Sequence, residues 1–142
     1  MPSANMDDYY TVVLSNPDYT LFGPVIYQMV GNVKGRDIKY GDFNNEYWNN
    51  DEVECSSIEI IPFTAPSPPI SYVNYTYSYL VYKQTGGVVD YSQASSEISN
   101  WWWDATDFAT QYNLELVTSN YFVAKSDIIE YWVIIILVYL LK

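Results

Sequence analysis

The stretch ISYVNYTYSYLVYK, residues 70–83, decides the fold. Val73, Tyr75, Tyr77, Tyr79 and Val81 fall on one parity, and Asn74, Thr76 and Ser78 on the other. Successive side chains of a strand point to opposite faces, so this alternation predicts a β-strand with a packed aromatic face and a wet polar face. Tyr75, Tyr77 and Tyr79 are expected to be shielded, and Asn74, Thr76 and Ser78 more exposed. Gln84-Thr85-Gly86-Gly87 has turn chemistry, so residues 88–91 are expected to pair back as a hairpin.

Further along, the period changes. Ile98, Trp101, Ala105, Phe108 and Tyr112 recur at steps of three and four, one face of an α-helix around residues 94–112. Ser92 or Ser95 could cap it, and Glu97 lies early, where the helix dipole favours an acid. Residues 114–118 and 121–125 then flank Ser119-Asn120 and read as a second hairpin.

Upstream, residues 9–14, 19–22, 25–30 and 57–61 are rich in β-branched and aromatic residues and read as short strands. Residues 41–54, crowded with Asn and Asp and without periodicity, read as a loop. Pro62, Pro66, Pro68 and Pro69 exclude helix and central strand, so 62–69 should be extended, polyproline-like and exposed. The fold class expected is mainly β: a small antiparallel sandwich or barrel-like module with one helix around 94–112. The chain divides into a β-rich module, 1–126, and an apolar C-terminal segment, 127–142, helix or strand.

That segment is DIIEYWVIIILVYLLK, residues 127–142. Tyr131, Trp132, Val133, Ile134, Ile135, Ile136, Leu137, Val138, Tyr139, Leu140 and Leu141 carry no charge, so they are expected to contact a membrane or a partner. Asp127 and Glu130 have capping-box spacing for a helix starting at Ile128. Fifteen helical residues reach about 22 Å, against a hydrocarbon core of roughly 30 Å. A lipid contact through residues 128–141 would therefore be a short span or a partial insertion, with Tyr131, Trp132 and Lys142 as interfacial anchors. The competing reading is a strand covered on both faces, which suits the β-branched run. In Trp101-Trp102-Trp103, neighbours on a helix lie about 100° apart, so Trp102 and Trp103 leave the apolar stripe and become candidate interface residues.

Composition narrows the function further. Aromatics make up 18% of the 142 residues, with 16 Tyr and 5 Trp, side chains that concentrate where one end is dry and the other wet. A net charge of −11 offers no basic footprint for nucleic acid, nor electrostatic attraction to anionic lipid. Cys55 stands alone, so no intrachain disulfide or thiolate metal site can form. The first residues, MPSANMDDYYTVV, lack the basic and apolar regions of a secretory signal. Read as a calcium loop from Asp42, the acidic stretch places Tyr47 at the glycine position and Val53 at the closing glutamate position, so no metal is expected.

There is no His, no nucleophile elbow and no phosphate-cradling glycine loop. No enzyme activity and no cofactor are expected. The leading expectation is a structural component that binds other protein subunits: a minor, capsid-associated virion protein or a membrane-complex component anchored by the tail. The alternative is a soluble β-sandwich binding domain for a glycan or protein ligand, with the C-terminal segment as a core strand.

Overall fold

The computed structural model describes residues 5–17, 24–40, 46–49, 52–66, 68, 73–98 and 103–125. The strand expected at 19–22 and every expectation about the C-terminal segment lie outside these residues. Among the described residues seven strands are formed: β1 (Tyr9–Asn16), β2 (Val25–Lys34), β3 (Glu46–Asn49), β4 (Glu52–Ser56), β5 (Ile58–Ile61), β6 (Tyr75–Gln84) and β7 (Leu114–Ala124). Three short helices accompany them among the same residues: α1 (Gly35–Tyr40), α2 (Ala94–Glu97) and α3 (Ala105–Gln111). Five strands make one antiparallel sheet in the order β5-β2-β1-β6-β7, and β3 and β4 form a separate hairpin. The protein is mainly β, as the alternating pattern predicts.

β1 is the middle strand and is buried on both faces. On one face Val13 packs with Ile26, Met29, Ile60, Ile61, Tyr82, Tyr91, Trp103 and Phe108, a core roofed by α2, α3 and the segments beside them. On the other face Leu14 joins Val25, Tyr27 and Tyr77, while Val12 joins Val30, Val33 and Ile38 of α1. This explains why YYTVVLSN and VIYQMVGNVK read as near-continuous apolar runs rather than alternating ones.

The strand at the centre of the sequence reading exists, and its register is informative. Tyr77 is fully buried, set edge-on to Tyr27 and stacked on Phe122, both at 5.3 Å between ring centroids. Tyr75 and Tyr79 are half-buried beside it, and Asn74 is exposed. Thr76 and Ser78, expected to be wet, are also half-buried. From Leu80 onward the opposite parity turns inward: Leu80 and Tyr82 enter the helix-side core, and Gln84 is 2% exposed.

Residues 88–91 do not pair back on β6. That edge of β6 is taken by β7, and the loop after β6 is docked on the sheet by a side chain instead. Asn32, at φ 56°, presents its amide to the peptide of Val89 as a strand would: Val89 N donates to Oδ1 (2.9 Å) and Nδ2 donates to Val89 O (3.0 Å). Gln84 completes the clamp. Its Oε1 accepts from Thr11 Oγ1 (3.0 Å) and from Asn32 N (2.9 Å), and its Nε2 donates to Asn32 Oδ1 (2.8 Å) and Gly87 O (2.7 Å).

Three other expectations change. Residues 114–124 form one continuous strand, because ten register partners on β6 outweigh the turn preference of Ser119 and Asn120. The stretch read as a polar loop contains the β3–β4 hairpin. The helix expected around 94–112 is realised as α2 and α3, with Ile98 already extended at φ −86° and ψ 114°. The proline-rich segment has no regular element over 62–66 and is tied to β2 by Thr64 N donating to Tyr27 O (2.8 Å).

Tyr91 closes the clamp from the loop side. It is 3% exposed, and its hydroxyl lies 2.6 Å from Thr11 Oγ1. Burial pushes its pKa from 10.0 up to about 12, against the opposing effect of the Thr11 hydrogen bond. A phenol that holds its proton more tightly when folded adds stability below pH 10, and that contribution drains away as pH rises through about 12. Urea unfolding is expected to show roughly 2–3 kcal/mol of stability lost across this window, with a shallower slope in Tyr91→Phe. Burial raises the Tyr82 pKa in the same direction, so some slope should remain.

Candidate protein-contact surface

α3 and β7 form one continuous turn of chain at the border of the sheet. Asp104 starts α3 as N-cap, accepting from Thr106 N (2.8 Å) and Asp107 N (3.0 Å), with Asp107 placed favourably in the first turn. Phe108 anchors the helix between Tyr82, Trp103 and Tyr112, at ring distances of 6.4, 5.8 and 5.1 Å. Helix capping passes through Tyr112 to Asn113, whose left-handed φ of 52° reverses the chain into β7. Thr85 Oγ1 donates to Asn113 O (2.9 Å) and ties that corner to the end of β6.

β7 borders the sheet, and among the described residues no strand pairs with its outer edge. Along it Leu116 is 53%, Tyr121 69%, Phe122 40% and Val123 54% exposed. The Tyr121 N–H donates to Asn120 Oδ1 (2.9 Å), a local side-chain bond in mid-strand. Between β7 and α3 runs an open groove of about 430 Å³, floored by Tyr82 and walled by Ala105, Ala109, Thr110, Leu114 and Leu116. The charged residues at the α3 end of this surface are acidic, Asp104, Asp107 and Glu115, and Lys125 follows β7 at its other end. On β6, Lys83 pairs with Asp8 at 2.6 Å and lies opposite Glu115 in the register. The surface is apolar along the strand and acidic at its α3 end.

Few of the residues singled out in the sequence fall here. Tyr131, Trp132, Val133, Ile134, Ile135, Ile136, Leu137, Val138, Tyr139, Leu140, Leu141 and Trp102 all lie outside the described residues. Trp103 is described: at 8% exposure it packs on Phe108 inside the helix-side core. With α3 starting only at Ala105, Trp103 is free of helical spacing and turns inward. The β7 residues carried a usable signal, an aromatic and β-branched run, which the turn reading of Ser119-Asn120 obscured. Among the described residues no three Cys, Asp or Glu gather as metal ligands, and no helix is long and apolar enough to cross a membrane.

No family model matches the sequence, and no curated protein does. The fold is similar to that of a chain in the crystal structure of carboxypeptidase Y inhibitor complexed with the cognate proteinase, with a TM-score of 0.57 and 23% identity. The match covers 86% of this chain and 62% of that one, so this chain spans a little under two thirds of its length. The likeness is one of fold.

Proposed function

We propose that this chain is a non-enzymatic contact module of a larger protein assembly. The observation that carries the reading is β7: a border strand that exposes Leu116, Tyr121 and Val123 on the face of an open groove, with Phe122 stacked on Tyr77 on the other face. Isolated monomers seldom leave such surface uncovered, and exposed apolar strand edges mark sites of association. The similar fold comes from a complex between an inhibitor and its cognate proteinase, which is compatible with a protein-binding role. The absence of His removes the commonest general base, consistent with binding rather than catalysis. The virion or membrane setting belongs to this proposal through the apolar residues 131–141, which would fasten the module to its particle or complex.

The test is the mass at which the native protein travels. Sedimented from the cells or particles that contain it, the chain is expected well above its monomer mass of 16.5 kDa, in a protein complex or a membrane fraction. Recovery as a free monomer without detergent would overturn the reading.

A further inference from the structure

The geometry points to β7 and the α3 groove as a site for strand addition, taking an extended segment of a partner protein with alternating apolar side chains and a basic end beside Leu114. This rests on the contact-module reading and names how the contact is made. A border strand turns every second N–H and C=O away from its neighbour, and an added antiparallel strand satisfies them. β7 offers eleven residues for such pairing. An arriving backbone would take the Tyr121 N–H from Asn120 Oδ1, a bond a side chain can give up by rotating.

Side-chain recognition follows from the groove. Alternate residues of an added strand point to the α3 side, where Ala105 and Ala109 leave room above the Tyr82 ring and Leu114 and Leu116 supply apolar wall. Charge selects one end. Asp104, Asp107 and Glu115 gather at the Leu114 end of β7 and Lys125 follows its other end, so a lysine or arginine is attracted, and an acid repelled, where the added strand meets Leu114. A second copy of this chain, at −11, meets that repulsion in full.

The experiment titrates the full chain with a labelled Ser-Thr-Val-Thr-Val-Thr-Val-Lys-Lys peptide, whose C-terminal lysines meet Leu114 when it adds antiparallel, read by anisotropy and by residue-resolved amide exchange. Binding is expected, with new protection confined to β7 and shifts in α3. The same peptide with glutamates in place of its lysines, or with proline at its centre, should bind about tenfold weaker or worse. Thr110→Trp, which fills the groove from an exposed helix position, should weaken the lysine peptide to a similar degree. Four results would overturn the inference: no binding up to about 1 mM, equal binding of the acidic and basic peptides, protection outside β7, or β7 amides already protected in the free chain. The last would mean that its own C-terminal residues or a second copy holds the edge, concentration dependence separating these two. A native assembly that persists while the peptide fails leaves the contact-module reading standing and removes only this site.

Discussion

A Gln84→Leu chain is expected to lose about 3–5 kcal/mol of folding free energy in urea unfolding, a large share of what a domain of this size normally has. Gln84 is buried at 2% exposure, and its amide makes four hydrogen bonds. Leucine matches its bulk but none of its bonding. The Asn32 N–H and the Gly87 carbonyl would lose their Gln84 partner where water is scarce, and Asn32 would no longer be held in place for Val89. The useful comparison is Lys83→Ala next door, which removes a solvent-screened ion pair at 37% and 27% exposure and should cost far less than Gln84→Leu. Equal losses in the two variants would show that the clamp does not hold the loop.

Gly31→Ala is the second large effect, expected at about 2–4 kcal/mol. A methyl group at Gly31 would run into Cε2 and Cδ2 of Tyr91 and close on Ile60 Cδ1 at 3.3 Å. The ring cannot swing away freely, because its hydroxyl is bonded to Thr11 and its other side meets Tyr112 at 5.0 Å. The diagnostic is non-additivity. Tyr91→Ala removes the obstacle, so the double variant should be more stable than the sum of the two losses by about 1–2 kcal/mol. Additive losses would mean that some contact other than the ring makes glycine necessary.

These two positions also mark where the sequence stops being legible. The parity of Tyr75, Tyr77 and Tyr79 announces a strand, and Tyr77 sits where that parity places it. What the pattern conceals is a second core behind the same strand. Once Leu80, Val81 and Tyr82 are all apolar, a period of two gives no direction, and only the packing of α3 decides that Tyr82 faces the helices. Gln84 and Asn32 are illegible for another reason. Polar residues near turns ordinarily face water, and their burial depends on partners 52 residues apart. Phe108 and Tyr112 were placed correctly by helical spacing, whereas Trp103, just outside α3, escaped it. The contact surface was the least visible part, since Ser119-Asn120 has local turn preference and only pairing with β6 keeps the chain straight.

The central position of β1 has a consequence for how the chain is made. β1 pairs with β2 almost at once in the sequence, but its other neighbour, β6, ends at Gln84. At synthesis rates of about 5–20 residues per second, the 68 residues between Asn16 and Gln84 take roughly 3–14 s to appear. Throughout that interval the nascent chain presents an apolar strand whose second edge has no native partner. High contact order slows the closing step further. The strand most deeply enclosed in the finished protein is thus the one most exposed to mispairing while it emerges from the ribosome.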